Sequence, residues 1–414
     1  MTIKVLAIGD SGNYILTLKK FVKNSSIDII DFPRKGPAKT TYLPGGVEFF
    51  DSLKISKQID KINEIKKKYD VCIVMSWAGA RIAYLAGLNY IMYFTGNDIK
   101  TPPFIKNIKE PYLEESINNL NYIERKFYEK VFNSASHCVT STKPFFDQLS
   151  KYRKDGIRID RTAVDTTVFN DNVNPIDRKK EKFTFFSPQR NGPEKGIEII
   201  WEALEKCKTD FEVLMVEWFD DRTNEEKEII QKLLKKIPSQ VKFIPLIKRE
   251  EMSRYYKFAD AVLGQMRAGT ASGVEREAVM CKKLVISYSN PEFKDIIDNK
   301  ELKNTFLPNS NEPEELAKII DKVVESEKFR NELFEKEYKF VSELADPDKC
   351  AKEWDQLFLK IFQKNKSINS KSLKIKIIFL KNLVIFSEKL VYNKKMKEKN
   401  IIAWGKDEYE KLMD

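Results

Sequence analysis

Hydrophobic residues along the chain fall in short runs, separated by longer segments in which they recur every three or four positions. The first half contains four short runs that predict buried strands: Ile3–Ile8, Val71–Met75, Tyr90–Phe94 and Cys138–Thr140. Three segments between them have helical periodicity: Tyr14–Val22, Ser56–Tyr69 and Glu115–Phe132. Alternation of this kind is typical of βαβ units around a parallel sheet.

A second series of the same kind begins after about residue 180 and follows the polar stretch Phe169–Glu181, the predicted linker. Its predicted strands are Phe183–Phe186, Glu212–Glu217, Val241–Ile244, Ala261–Leu263 and Leu284–Ser287. Its predicted helices are Gly196–Lys206, Asn224–Lys236, Arg249–Phe258 and Val274–Met280. The chain of 414 residues is therefore predicted to form two doubly wound, Rossmann-like α/β domains, residues 1–170 and 180–345, facing each other across a cleft.

Two segments follow the second domain: residues 346–363, a predicted helix that crosses back to the first domain, and 364–414, a predicted basic amphipathic extension. Residues 364–399 hold eleven lysines and two glutamates, a net of +9 in a chain of formal net charge +11. A basic amphipathic helix is typical of a membrane surface, so we expect it to bind anionic lipid. The alternative is a helix whose apolar side docks on the protein body. We expect no nucleic-acid partner, because basic and aromatic residues do not interleave.

The cysteines and the N-terminus favour a cytoplasmic protein, which the basic extension is expected to hold at the inner face of the membrane. The five cysteines are far apart and form no C-x-x-C pair, so neither a disulfide framework nor a zinc site is predicted. Residues 1–10 read as a strand that enters a glycine turn, not as a signal peptide. No run of about 20 apolar residues predicts a membrane-spanning helix.

The first candidate site is the loop 187–196, S-P-Q-R-N-G-P-E-K-G, between a predicted strand and a predicted helix. Such a loop directs backbone N–H groups and the cations Arg190 and Lys195 to one place, which suits a diphosphate. The alternative is an ordinary strand–turn–helix connection with solvated charges.

The second candidate site is the small-residue loop 264–273, which leads into a helix that contains Glu275 and Glu277. Small residues let the backbone approach a phosphate, and a carboxylate one turn into the helix can bind two sugar hydroxyls. The alternative for Glu275 is that it only complements the helix dipole.

Both segments resemble glycosyltransferase family 4 (glycosyl transferases group 1), retaining enzymes with the GT-B architecture. The family's R-x-x-P-E-K-G pattern, which holds the donor diphosphate, matches residues 190–196. The second Glu of its E-x7-E motif, which binds ribose, corresponds to Glu277. Weaker similarities cover residues 163–169, 241–260 and 306–317.

The resemblance implies a nucleotide-diphosphate sugar as donor, a glycan or lipid-linked acceptor, and neither a cofactor nor a metal. It implies a donor site formed by Gln189, Arg190, Lys195, Leu246, Gly269, Thr270, Ala271, Ser272 and Glu277. Arg190 and Lys195 would stabilise the leaving group, and Asp98 would either orient an acceptor hydroxyl or cap a local turn. The acceptor-side loops would contribute Gly9, Ser11, Gly12 and Thr95.

Three positions depart from the family pattern. Gly269 stands where the first Glu of E-x7-E contacts the sugar, and Thr95 stands where many members have a histidine. Lys282 replaces a common helix-ending glycine, and the chain's single histidine, His137, is expected to be structural. The leading hypothesis is hexosyl transfer, and the alternative is a catalytically silent GT-B protein that binds a nucleotide sugar or a partner. A GT-B sugar-nucleotide epimerase is disfavoured because its cleft carboxylates and histidine have no counterpart here.

Overall fold

The computed structural model describes residues 2–33, 41–52, 54–96, 98–106, 120–219 and 223–365. Among these, residues 2–33, 44–159 and 348–365 form one compact unit, and residues 41–43 and 160–347 form another. The division between Ile159 and Asp160 precedes the predicted linker Phe169–Glu181. That stretch contains neither helix nor strand and lies within the second unit.

The first unit is built on a seven-stranded parallel sheet in the order β3-β2-β1-β4-β5-β6-β7. Its strands are β1 (Ile3–Ile8), β2 (Ser25–Asp31), β3 (Val47–Phe49), β4 (Val71–Val74), β5 (Tyr90–Phe94), β6 (His137–Thr140) and β7 (Ile157–Arg158). The central strands β4 and β5 are buried at every position, as a sheet covered on both faces requires.

The described helices of this sheet are α1 (Tyr14–Phe21), α2 (Ile55–Ile65), α3 (Trp77–Leu85), α4 (Tyr122–Ser134) and α5 (Lys143–Ser150). The sequence pattern predicts that helix α4 begins at Glu115, but Leu120 and Asn121 are not helical. Asn121 instead forms a capping box with Glu124, which satisfies backbone donors where the helix begins.

The second unit contains a five-stranded parallel sheet in the order β10-β9-β8-β11-β12 and an antiparallel hairpin. The sheet strands are β8 (Phe183–Ser187), β9 (Phe211–Val216), β10 (Val241–Ile244), β11 (Ala261–Leu263) and β12 (Leu284–Ile286). The hairpin joins β13 (Lys294–Ile297) to β14 (Lys300–Lys303). All five sheet strands lie within one or two residues of their predicted positions.

The helices of the second unit are α6 (Ile197–Lys206), α7 (Asn224–Leu233), α8 (Met252–Phe258), α9 (Gly273–Met280), α10 (Pro313–Glu325) and α11 (Glu327–Leu344). Three of their N-termini carry capping residues: a Thr223–Glu226 capping box at α7, a Ser272–Glu275 capping box at α9, and Ser326 at α11. Apolar side chains pack on both faces of the sheet, and each face forms a separate core cluster.

The last described helix, α12 (Pro347–Asn365), packs in the first unit, where the ring of Trp354 meets that of Tyr93 edge-on at 4.8 Å. The predicted basic extension from residue 366 onward lies outside the described residues. Within the described part of the chain, no helix combines the length and the apolar character needed to cross a membrane.

Candidate functional site

The strand order of the second sheet reverses between β8 and β11. The chain moves outward from β8 to β9 and β10, and then returns to place β11 on the other side of β8. Loops beyond the carboxyl ends of two such strands diverge and leave a crevice, which is where open α/β sheets bind ligands. Both predicted candidate loops follow these two strands.

Direct hydrogen bonds join the two loops. Gln189 Nε2 donates to the carbonyl of Gly264 at 2.9 Å. Lys195 Nζ donates to Gln265 Oε1 at 3.2 Å, and the Lys195 carbonyl accepts from the backbone N–H of Met266 at 2.9 Å. The structure therefore brings the two predicted segments into one continuous surface.

The guanidinium of Arg190 is held from two sides. Arg190 Nη2 lies 3.8 Å from Glu194 Oε2, and its guanidinium carbon lies 5.8 Å from the ring centroid of Trp218. The side chain remains 30% exposed, so it can reach a ligand while two neighbours restrict its orientation. Trp218 follows β9, and no local sequence pattern indicates that it lies near Arg190.

Gly196, which follows Lys195, has φ +75°, and a Cβ at this position would lie 3.0 Å from Met266 Cβ. Glycine is therefore required both by the left-handed backbone and by the close approach of the second loop. This backbone geometry holds the end of the short 3₁₀ turn Pro193–Lys195 against the loop after β11.

Glu275 has a structural role. Its Oε2 accepts from the backbone N–H and the hydroxyl of Ser272, and its Oε1 accepts from Gln265 N at 3.2 Å and Ser287 Oγ at 3.1 Å. All of these donors belong to the protein, and the residue is fully buried. Glu275 therefore fixes the start of α9 and the shape of the loop that precedes it.

Glu277 is the buried acid of this region, with its side chain only 8% exposed. Arg249 Nη2 donates to Glu277 Oε1, whereas Oε2 is buried and has no hydrogen-bond partner. Burial raises the pKa of Glu277 to about 7, and the nearby cations Arg249 and Arg276 limit the rise. A buried carboxylate oxygen without a donor suits a hydroxyl group supplied by a ligand.

Arg249 connects this carboxylate to the segment before β8. Its guanidinium carbon lies 5.0 Å from the ring centroid of Phe169, and its Nη2 bonds to Glu277. In the sequence, Arg249 belongs to the charged run K-R-E-E at the start of a predicted helix, where a solvated side chain is the ordinary expectation. Only the fold reveals that its side chain is 16% exposed and paired.

Gly269 is constrained by its surroundings. Its φ is +67°, and a Cβ there would lie 2.6 Å from Asn290 Cβ and 3.1 Å from Asn290 N. The carbonyl of Gly269 also accepts from Asn290 N at 3.0 Å. The backbone therefore leaves no room for the glutamate that the family pattern has at this position.

We predict that Gly269→Ala lowers the free energy of unfolding by about 2–4 kcal/mol, because left-handed strain and overlap with Asn290 add together. The matched control is Gly87→Ala, since Gly87 has φ +69° but a Cβ added to it would meet nothing within 4 Å. In the control, only the left-handed backbone strain should lower the free energy of unfolding, by about 1 kcal/mol. Urea unfolding of both variants measures the difference, and equal losses would contradict the proposed overlap.

Three of the remaining predicted donor residues, Thr270, Ala271 and Ser272, lie in the loop after β11, and the fourth, Leu246, lies in the loop after β10. The carbonyl of Thr270 accepts from Gln265 Nε2 at 3.4 Å, Ala271 is buried, and Ser272 is half-buried at the start of α9. Leu246 follows β10, is half-buried and packs against the core cluster that contains Tyr256. Lys282 has φ +59°, so it ends α9 in the left-handed conformation that usually favours glycine.

The predicted loops of the first unit follow β1 and β5. Gly9 and Gly12 have φ of +83° and +73°, and Ser11 is exposed. Asp10 is buried, and its two carboxylate oxygens accept from the backbone N–H groups of Ile15 and Leu16. Because Asp10 already occupies the start of α1, this helix N-terminus does not present those N–H groups to a ligand.

Asp98 lies in the turn after β5, as does the half-buried Thr95. Its Oδ1 accepts from the backbone N–H groups of Gly96 at 3.3 Å and Ile99 at 3.2 Å. Burial raises the pKa of Asp98 to about 7, and these backbone bonds oppose the rise. The local contacts are those of a turn-capping aspartate.

His137 is the first residue of β6 and lies opposite Ile91 in β5. It therefore occupies the amino-terminal edge of the first sheet, whereas Thr95 and Asp98 follow its carboxyl-terminal edge. Burial lowers the pKa of His137, and the positive charge of Lys364 lowers it further. The position agrees with the structural role expected from the sequence.

Residues 168–340 match the family model described as glycosyl transferases group 1. No match to the chain was found among the curated proteins.

Three solved structures illustrate the likeness of fold. The Anabaena protein Alr3699/HepE, in complex with UDP and glucose, is 16% identical, with a TM-score of 0.58 over 86% of this chain and 100% of that one. The sucrose-phosphate synthase of Thermosynechococcus elongatus is 14% identical, with a TM-score of 0.63 over 87% and 100%. An alpha-glucosyltransferase in complex with UDP and a 13-mer DNA is 12% identical, with a TM-score of 0.63 over 87% and 100%.

The family match covers β8 to α11 and includes both loops at the strand-order reversal. The structural likeness extends over both parallel sheets and, at these identities, concerns the fold alone. Residues 168–340 therefore match the glycosyl transferases group 1 family model, within a chain that has the GT-B fold.

Proposed function

We propose that the chain transfers a hexose from a nucleotide-diphosphate donor to a hydroxyl of a glycan or lipid-linked acceptor, with retention of configuration. The observation that carries the proposal is Glu277, whose buried Oε2 has no hydrogen-bond partner. It lies on the helix that follows one of the two loops at the strand-order reversal. A ribose provides the hydroxyl donors that such an oxygen accepts.

The reaction requires stabilisation of a departing nucleoside diphosphate. Arg190 and Lys195 supply two positive charges on the loop after β8. These charges stabilise the negative charge of the departing diphosphate, as a metal ion does in other transferases. The bond from the sugar's anomeric carbon to the phosphate oxygen breaks, and a bond to the acceptor oxygen forms. The acceptor proton passes to the departing phosphate, so no histidine is needed for this step.

The first unit is proposed to bind the acceptor through the loops that contain Gly9, Ser11, Gly12 and Thr95. Asp98 would orient the acceptor hydroxyl through its outer carboxylate oxygen while Oδ1 holds the turn. The proposed location is the cytoplasm, with the basic extension binding an anionic membrane surface. No nucleic-acid partner and no cofactor is proposed.

UDP sugars are the first donors to test, because Alr3699/HepE was solved with UDP and glucose. A panel of UDP-, GDP- and ADP-sugars is titrated calorimetrically into the full chain, and nucleotide release is measured with and without glycan and polyprenyl acceptors. We expect one nucleotide class to bind and to release nucleotide faster when an acceptor is present. The absence of binding by every member would contradict the proposal.

A catalytically silent protein that binds a nucleotide sugar is the second candidate. Gly269 favours it, because the packed Asn290 leaves this loop without a carboxylate toward the sugar. Binding of a nucleotide sugar without release of nucleotide, across all acceptors, would support this candidate over transfer.

A further inference from the structure

Arg276 is a buried cation in α9 that lies next to Glu277 in the chain. The residue is 4% exposed, and its Nε has no hydrogen-bond partner. Among the described residues, its guanidinium takes part in neither a hydrogen bond nor an ion pair. A guanidinium has five N–H donors, and a buried one without an anion carries a desolvation cost that folded proteins usually offset by pairing.

The carboxylates on either side of Arg276 are engaged elsewhere. Glu275 accepts from Ser272, Gln265 and Ser287, and Glu277 forms its ion pair with Arg249. Arg276 directly precedes Glu277 in α9, the helix that follows the loop after β11, and its positive charge helps to limit the rise in the pKa of Glu277. Among the described residues, no carboxylate therefore forms an ion pair with Arg276.

We propose that Arg276 binds an anionic oxygen of the nucleotide-sugar donor. The inference rests on the proposed function and extends it, because it adds a third cation to Arg190 and Lys195. The planar guanidinium of Arg276 can donate two parallel N–H hydrogen bonds to two oxygens of a phosphate or of a carboxylate.

Two parts of a nucleotide-sugar donor carry anionic oxygens of this kind. One is the diphosphate, which every nucleotide-diphosphate sugar carries, and the other is the carboxylate of a uronic acid sugar. The loop that begins at Gly264 would not repel the carboxylate of a uronic acid sugar. Gly269 carries no charge, and the carboxylate of Glu275 is bound by donors of the protein itself. A donor with a carboxylate and one without therefore separate the two sources.

The experiment compares wild type, Arg276→Met and Arg276→Lys by calorimetric titration with uridine, UMP, UDP, UDP-glucose and UDP-glucuronic acid. Methionine keeps much of the side-chain volume and removes the charge. Lysine keeps the charge but lacks the paired, planar N–H donors of the guanidinium. Arg267→Met is the matched control, because Arg267 lies in the loop that leads into α9, is 41% exposed and pairs with Glu198. It removes one positive charge nearby without emptying the buried position.

We expect Arg276→Met to weaken UDP at least about tenfold while uridine affinity changes less than about twofold, if the phosphates are the anion. If the sugar carboxylate is the anion, only UDP-glucuronic acid weakens by that factor. Arg276→Lys should lie between wild type and Arg276→Met in either case, and Arg267→Met should match wild type.

Equal affinity ratios in wild type and Arg276→Met, across all five ligands, would overturn the inference while leaving the proposed function intact. If Arg276→Met does not fold, Arg276→Lys decides through two affinity ratios, UDP to uridine and UDP-glucuronic acid to UDP-glucose. The inference is overturned if both ratios equal those of wild type. Failure of wild type to bind these ligands and every member of the UDP-, GDP- and ADP-sugar panel would instead contradict the proposed function.

Discussion

The double variant Arg190→Ala, Lys195→Ala is expected to bind a UDP sugar at least about a hundredfold more weakly than wild type. Each charge-assisted hydrogen bond to the diphosphate contributes about 1.5–3 kcal/mol, so the loss of two gives about 3–6 kcal/mol. Neither side chain is deeply buried, and the neighbours Glu194 and Gln265 remain to hold the loop. The fold should therefore survive the change.

Calorimetric titration with the donor found in the panel measures the effect, and circular dichroism checks the fold. Arg267→Ala is the control for a general loss of positive charge, and we expect it to bind like wild type. Undiminished donor affinity in the double variant would remove both residues from the site.

Replacing Glu277 by alanine is expected to lower the free energy of unfolding by about 3–5 kcal/mol, because it leaves Arg249 buried without its partner. Adding Arg249→Met should recover part of this loss, since an apolar side chain of similar length can pack on Phe169. Both variants should bind the donor weakly, because neither presents a carboxylate to the ribose.

Urea unfolding of the two single variants and the double variant gives the coupling energy between Glu277 and Arg249. Glu301→Ala is the control, because its pair with Lys294 is exposed and should contribute at most about 1 kcal/mol. Additive losses in the double variant would show that Arg249 and Glu277 do not act as a pair.

The sheet of the second unit can be predicted from sequence because its strands are mostly buried and appear as continuous apolar runs. Strand β2 escapes prediction because Ser26 and Asp28 alternate with buried positions and resemble an exposed segment. Helix α3 escapes it for the opposite reason. Every residue from Trp77 to Leu85 except Arg81 is buried, so the helix lacks the polar face that reveals helical periodicity.

The same limits apply to the candidate site. Arg190, Lys195 and Glu277 belong to local motifs, so the spacing of neighbouring residues is enough to identify them. Arg249 and Trp218 come from loops after other strands and meet those residues only through the strand order of the sheet. Residues such as Arg276 look solvated in the sequence, because no local pattern shows that a charged helical position is buried.

A crystal structure of the chain with UDP tests the central claim most directly. The account predicts diphosphate oxygens within hydrogen-bond distance of Arg190 and Lys195, and a ribose hydroxyl on Glu277 Oε2, the oxygen that has no partner in the free protein. A UDP molecule bound elsewhere on the chain, with Glu277 Oε2 still unpaired, would contradict it.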